Sequence, residues 1–314
     1  MNYIIFDLEW NQCPHGPEYE NPRIPFEIIE IGAVKLNDSF QIVDEFNRII
    51  KPRVYKHLHH HIRQMLNYDE SVLRNGKPFE MVFKEFKEWC GTDYIYGTWG
   101  TCDLTQLQKN MEYYYMHTIG EPFRYYDIQA IFAEYYPEPG PCKLETAVDT
   151  LKLPTEDCFH TAINDARYTA YVFQKLSKKH LKDQYTYDYF HAPKDEEHEI
   201  HSYHRHYAEH ISRGFEDKIY LIEDKNFEEF RCYKCKRKLN RKINWFSNNQ
   251  NSYLGVGKCW YHGYQKGTIK FKLSNDGQTF AVKRISPIPK TEVENIRSRQ
   301  LELREKRREK RKSH

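Results

Sequence analysis

Near the start of the chain, Ile4-Ile5-Phe6-Asp7-Leu8-Glu9-Trp10 is apolar enough for a buried strand yet carries two carboxylates. Successive side chains on a strand point to opposite faces, so Asp7 and Glu9 share one face while Phe6 and Leu8 take the other. Two neighbouring anions in a half-buried place repel each other and lose hydration, unless a cation sits between them or one takes a proton. A fold built on this strand must therefore bring something positive to Asp7 and Glu9.

The rest of the chain is ordinary for a water-soluble protein, with 30% charged and 39% hydrophobic residues and a mean hydropathy of −0.88. No apolar stretch is long enough to span a bilayer, and no basic segment precedes the short apolar run as in a signal peptide. The expected location is cytoplasmic, where the eight cysteines are thiols or metal ligands rather than disulfides. Charge is uneven: residues 1–190 carry 20 basic and 28 acidic residues, and residues 191–314 carry 28 and 17. The net +11 of the second part suits a polyanion, or simply a solvated basic surface.

Two domains, a linker and a tail are expected: an α/β domain over 1–184, a polar His/Tyr-rich linker over 185–215, a small β-rich module over 216–290, and a charged tail over 291–314. In the first, strand-like and helix-like periods alternate. Strands are predicted at Tyr3–Trp10, Ile28–Leu36, Phe40–Ile49 and Tyr94–Trp99, the early ones forming a meander within a mixed sheet. Helices are predicted at Val54–Leu66, Phe79–Cys90, Leu104–Met116, Ile128–Tyr135, Lys143–Leu151 and Thr161–Lys178. The linker reads as helical or partly ordered, with a metal site possible from His201 and His204 or from His206 and His210. The tail has no apolar stripe and reads as a lone solvated helix or as disordered. The histidines of Lys56-His57-Leu58-His59-His60-His61 read as a partly exposed helical face.

Further acids accompany Asp7 and Glu9. A strand-like Ile95-Tyr96-Gly97-Thr98-Trp99 leads through a Gly-spaced turn to Asp103, a residue that also suits a helix N-cap. Phe159-His160-Thr161-Ala162-Ile163-Asn164-Asp165 heads the long last helix. Residues five apart in a regular helix lie about 140° apart, so His160 and Asp165 meet only if His160 sits on the loop before the helix. Such a pair also occurs as surface or capping residues.

These pieces, with Ile29-Glu30-Ile31-Gly32-Ala33-Val34 and Lys143-Leu144-Glu145-Thr146-Ala147 in order over about residues 1–180, resemble the DEDDh 3′–5′ exonuclease superfamily. Within it the chain looks closest to the sporulation-inhibitor-like branch and its relatives that trim RNA 3′ ends and limit RNA interference. The resemblance implies a ribonuclease-H-like fold, a five-stranded mixed sheet flanked by helices. It implies Asp7, Glu9, Asp103 and Asp165 as ligands of two Mg²⁺ or Mn²⁺ ions, and His160 as general base. Oxygen ligands suit these hard ions, which activate an attacking water and stabilise the leaving oxygen, while His titrates near neutrality. Many relatives place a small or hydroxyl residue after the acidic pair. Here Trp10 is expected to stack on the terminal base and Asn11 to bond its sugar; Trp10 equally suits the rim of a core.

Cys232-Tyr-Lys-Cys235 and Cys259-Trp-Tyr-His262 form two knuckles, each with its ligands three apart, and fit one tetrahedral Cys₃His zinc site. Around them Trp245, Phe246, Tyr253, Trp260, Tyr261 and Tyr264 interleave with Lys236, Arg237, Lys238, Arg241 and Lys242. A hairpin is predicted around Asn275-Asp276-Gly277, burying Ile269, Phe271 and Leu273 and exposing Lys270 and Lys272. A zinc-stapled module of this kind suits single-stranded nucleic acid; its rival is a protein-docking ribbon whose aromatics are its core. The expected activity is metal-dependent 3′–5′ hydrolysis of single strands, RNA ahead of DNA. A DNA-trimming enzyme and an inactive zinc-ribbon adaptor are the alternatives.

Overall fold

The computed structural model describes residues 1–314 apart from 67–69, 138–139, 156–157, 177–180, 182–183, 225–228 and 313–314. Positions 177–178 of the expected last helix and the final two tail residues lie outside the described residues. The chain divides into two units, Met1–Asp188 and Tyr189–His314. Among the described residues no helix is long and apolar enough to cross a membrane.

In the first unit the alternating run becomes β1 (Asn2–Gln12), flanked by β2 (Phe26–Leu36) and β3 (Ile42–Ile49) on one side. On its other side lie β4 (Tyr94–Thr98), β5 (Arg124–Asp127) and β6 (Thr186–Tyr187). The sheet order is β3-β2-β1-β4-β5-β6. β1 pairs antiparallel with β2 and parallel with β4, so the sheet is mixed as expected. It has six strands rather than five, because the two residues of β6 add an antiparallel edge to β5.

The α-helices among the described residues of this unit are α1 (His60–Met65), α2 (Glu70–Arg74), α3 (Phe79–Cys90), α4 (Cys102–Tyr113), α5 (Ile128–Tyr135), α6 (Leu144–Thr150) and α7 (Ala162–Lys175). The Phe79, Val82, Phe83, Phe86 and Cys90 stripe explains α3: its spacing places one apolar face on Ile4, Phe6 and Leu8. On the opposite face, Tyr3 and Ile5 pack with Ile163, Ala166, Ala170 and Phe173 of α7. Asp7 and Glu9 continue the Tyr3–Ile5 row. The helix expected over Val54–Leu66 shrinks to α1. The buried Glu27 carboxylate accepts the backbone N–H groups of Arg53, Val54 and Tyr55 at 2.6–3.1 Å, which holds that stretch as a loop.

The second unit is an antiparallel sheet in the order β7-β8-β12-β11-β10-β9. Its strands are β7 (Ile200–Tyr203), β8 (Ala208–Ile211), β9 (Asn240–Asn249), β10 (Ser252–Cys259), β11 (Gly263–Leu273) and β12 (Thr279–Pro287). Residues 200–211, expected in a helical or partly ordered linker, instead form a hairpin: His201 faces His210, Ser202 faces Glu209, and β8 continues onto β12. Its buried polar groups are paired, Glu209 with Arg284 at 2.8 Å and His210 with Glu199 at 2.8 Å, which offsets their burial. The β11/β12 hairpin turns at Gly277, φ 83°, as expected. Ile269 is buried and Lys270 and Lys272 are exposed, but Leu273 is 70% exposed, because the buried position at that end is taken by Ser274. The tail is one helix, Lys290–Lys312, and it is not solitary: Val293, Ile296 and Leu303 pack on Ile243, Phe246 and Val256.

Candidate active site

The acidic centre is assembled by strand register and one close backbone approach. Across β1 and β2, Asp7 stands opposite Gly32 and Glu9 opposite Glu30. A Cβ on Gly32 would lie 2.1 Å from the Ala162 carbonyl carbon, so the missing side chain lets the first turn of α7 rest on β2. That turn carries Asp165 to Asp7 and Glu9, and one ligand atom from each of the three falls within 4.8 Å of the others. One side-chain oxygen of Asp165, Oδ1, is buried with no hydrogen-bond partner among the described residues.

Asp103 joins from α4. It is the second residue of that helix and makes no N-cap bond; its Oδ1 instead accepts the Leu8 N–H at 3.2 Å, between Asp7 and Glu9 in sequence. His160 lies on the loop before α7 in a left-handed conformation, φ 69°. Its backbone N–H donates to Asp165 Oδ2 at 3.3 Å, and its side chain is exposed. The two residues therefore come together in the one way the spacing allows.

The electrostatics register crowding. Burial and then the charges of Asp103, Glu9, Asp165 and Glu30 raise the Asp7 carboxyl well above its usual range. Burial, then Asp165, Glu30 and Asp103, push Glu9 up to about 8. Burial lifts Asp103 to about 7 and Asp165 to about 6, against the N–H groups that bond them. The charges that act most strongly on Asp7, Glu9 and Asp103 are those of other carboxylates. The donor set, oxygen only, and the unsatisfied Asp165 Oδ1 fit hard divalent cations.

Glu30 was not singled out from the sequence as a site residue. It is 2% exposed, and it adds to the repulsion on Asp7, Glu9 and Asp165. The available signal was register: an acid on the second strand, opposite an acid on the first.

Two expected substrate contacts take other positions. Asn11 is fully buried; its amide donates to the carbonyls of Tyr55 and His57, and its oxygen accepts the His59 N–H, all at 2.9 Å. It ties down the loop before α1 and has no free polar group for a sugar. Trp10 is half-buried beside Phe26, ring centroids 6.0 Å apart, and packs against the cluster holding Phe6 and Leu8. Its surroundings match the core-rim alternative. The bulge between Glu9 and Trp10 breaks the simple alternation there.

In the second unit the two knuckles come together. Cys232 Sγ and His262 Nδ1 are 3.5 Å apart, Cys259 Sγ and His262 Nδ1 3.6 Å, and Cys235 Sγ and Cys259 Sγ 3.7 Å. Zinc bond lengths of about 2.3 Å to sulfur and 2.0–2.1 Å to nitrogen give tetrahedral edges of about 3.5–3.8 Å, so the four ligands fit. Lys236 and Gly263, each directly after the second ligand of its knuckle, both adopt left-handed backbone, φ 62° and 70°. Burial would raise the Cys232 thiol, but N–H groups of Cys235 and Lys234 and the Gln265 side chain outweigh it and bring it down to about 6. Gln265, fully buried, donates to Cys232 Sγ at 3.0 Å and was not foreseen.

The histidines of the β7/β8 hairpin assemble differently from either expected pair. His201 and His210 stack at 4.0 Å beside Glu199, and His204 stacks on Tyr207. Arg213 holds the other Glu199 oxygen at 2.8 Å, and the buried ammonium of Lys283 lies alongside. Burial lowers Lys283 to about 8. These cations already balance Glu199, so this group is an ion-pair network.

Residues 4–173 match the sequence model of the exonuclease family, more than half of the chain. Three solved structures are similar in shape. A 3′-exonuclease with 3′-end specific recognition of a histone mRNA stem-loop is 20% identical, TM-score 0.48, over 55% of this chain and 62% of that one. Cell-death related nuclease 4 is 18% identical, TM-score 0.47, over the same shares. Exonuclease I of E. coli with a dA16 oligonucleotide is 12% identical, TM-score 0.45, over 57% of this chain and 41% of that one. This chain thus spans less than two thirds of the length of each. No curated protein matches it in sequence.

Proposed function

The chain belongs to the exonuclease family, nucleases that act on nucleic acid, and from that premise we propose that it removes nucleotides from the 3′ end of single strands, RNA ahead of DNA. One observation carries the reading: Asp7, Glu9 and Asp165 within 4.8 Å of one another, with Asp103 bonded to the same strand. In this arrangement, left without cations, burial and mutual repulsion raise all four carboxyls, Glu9 to about 8 and Asp103 to about 7. Its stable ionised form needs dications.

Asp7, Glu9, Asp103 and Asp165 would hold two Mg²⁺ or Mn²⁺ ions, which lower the pKa of a bound water and offset charge on the leaving 3′ oxygen. His160, exposed beside Asp165, takes the water's proton as general base. Gly32 sets the depth at which Asp165 sits, and Glu30 adds negative potential behind Glu9. Cys232, Cys235, Cys259 and His262 would hold one structural zinc, which ties the ends of a small sheet together. The second unit, a zinc-ribbon-like module, would hold the strand. Among the described residues all eight cysteines are free, which suits a reducing, cytoplasmic setting.

RNA is favoured because the motifs resemble the RNA-trimming branch. A DNA-trimming enzyme shares the same acids, and an inactive adaptor would not need all five catalytic residue types. The test is paired: 5′-labelled single-stranded RNA and DNA, with Mg²⁺ or Mn²⁺, should shorten progressively from the 3′ end, and chelation should stop it. A protein that binds the strands yet shortens neither would overturn the proposal; DNA shortened faster than RNA would reverse the preference.

A further inference from the structure

The second unit sorts its aromatic residues into two kinds. Trp245 stacks on Phe230 at 4.4 Å, Phe246 is buried, Tyr253 meets Phe271 edge-on at 5.6 Å, and Tyr264 packs beside Val256 and Val293. Those four serve the core. Trp260 and Tyr261 do not: they are 91% and 71% exposed. Their place in the knuckle explains this, since Cys259 and His262 turn inward as ligands and the two residues between them turn outward. Nothing in the zinc site requires an aromatic at either position, and two adjacent large exposed rings are unusual on a free surface.

Around these rings lies a cavity of about 410 Å³ whose charged lining is wholly basic: Arg237, Lys238, Lys242 and Lys258. The Arg237 guanidinium stands 5.2 Å from the Tyr261 ring. Lys258 lies 5.1 Å from the Tyr264 ring, Lys242 is exposed on β9, and Lys238 shares Glu229 at 3.7 Å. Arg237 and Lys238 follow the first knuckle while the rings belong to the second. A metal joining the knuckles would fix cations and rings relative to each other, which reduces the ordering cost of binding.

We propose that this knuckle face is a binding site for single-stranded nucleic acid, with unpaired bases stacked on Trp260 and Tyr261 and the flanking phosphates on Arg237, Lys242 and Lys258. The proposal rests on the reading of the chain as a nuclease. Two features favour a strand over an acidic peptide: flat rings are presented without an aliphatic groove, and the Arg237 guanidinium stands beside the Tyr261 ring, where a stacked base would bring its phosphate. Stacking accepts every base, so the site is sequence-tolerant, and a duplex hides the base faces that it needs.

The test uses the full-length, zinc-loaded chain carrying Asp7→Asn, so that the strand survives, and a fluorescein-labelled single strand read by anisotropy. Adding Trp260→Ala is expected to weaken binding about 10-fold or more with zinc content unchanged, and Trp260→Phe to recover part of it. Joint replacement of Lys242 and Lys258 by Gln should reduce the slope of log affinity against log salt by about 1.4. Trp260→Ala binding as tightly as its parent, a duplex binding as tightly as the single strand, or polyglutamate displacing the strand at equal concentration would each overturn the site. Shortening of strands by the chain with Asp7 intact is scored separately. Its absence, with Trp260-dependent binding retained, would remove the nuclease reading and leave this site standing.

Discussion

Glu9 and Glu30 face each other directly across β1 and β2, two carboxylates in one antiparallel pair, and Glu30 is 2% exposed. Like charges so placed destabilise a sheet. Here they are stacked onto Asp7, with Asp165 delivered from above by α7. The sheet therefore carries its least comfortable pair at the position where the proposed cations would sit.

The first consequence concerns pH. A carboxyl with its folded-state pKa above its unfolded value stabilises the fold while protonated; that contribution is complete below the unfolded value and lost as pH rises through the folded one. Glu9 moves from 4.5 to about 8, Asp103 from 3.8 to about 7 and Asp165 from 3.8 to about 6. Between about pH 4 and 8 the magnesium-free protein should thus lose stability, and added Mg²⁺ should restore progressively more of it. Thermal unfolding of zinc-loaded protein, with and without Mg²⁺, from pH 5 to 8 measures this. A magnesium effect on Tm that is independent of pH contradicts it.

Asp7→Asn separates catalysis from folding. It replaces the most crowded carboxyl by an uncharged group of the same shape, so at pH 8 the magnesium-free variant is expected to melt no lower than its parent, while strand shortening falls at least about 1000-fold, on the order of 4 kcal/mol in the barrier. Unaltered turnover would take Asp7 out of the site.

Gly32→Ala tests the scaffold. Its Cβ would lie 2.1 Å from the Ala162 carbonyl carbon and the Ile163 nitrogen, both backbone, so α7 must lift away from β2. The expected cost is about 3 kcal/mol or more in stability. Displacing Asp165 by an ångström should also cost about 100-fold in kcat. Parental Tm and activity together would show that the helix does not need this contact.

Cys235→Ser tests the knuckles. Zinc per chain, by elemental analysis, is expected to fall well below the parent's, with amide exchange quickening across β9 and β10. Undiminished zinc would mean that the metal sits elsewhere.

Long periodic segments were legible in the sequence, and short or long-range ones were not. Phe79–Cys90 and Ile128–Tyr135 coincide with α3 and α5 because their apolar spacing is complete within the segment. β5, four residues long, and β6, two, are too brief for any pattern to stand out. The loop over 53–55 depends on Glu27, more than 25 residues upstream, so no local signal could reveal it. The 200–211 hairpin was missed because its buried positions hold Ser202, Glu209 and His210, polar residues that only their partners make tolerable. In the active site the acids were legible as chemistry. Asn11 was misjudged because its partners, the backbone groups of 55–59, lie in the loop that the sequence suggested was helix.

The helix Lys290–Lys312 is about 34 Å long, yet its buried side chains among the described residues, Val293 and Ile296, lie in its first two turns, followed by the partly buried Gln300 and Leu303. A charged helix of this kind is marginal alone in water. Its order is borrowed from Ile243 and Phe246 on β9, and from Val256 on β10, the strand that ends at Cys259. Withdrawing zinc should therefore show as lost helical ellipticity: the helix would gauge a metal held at the knuckles, to which it supplies no ligand.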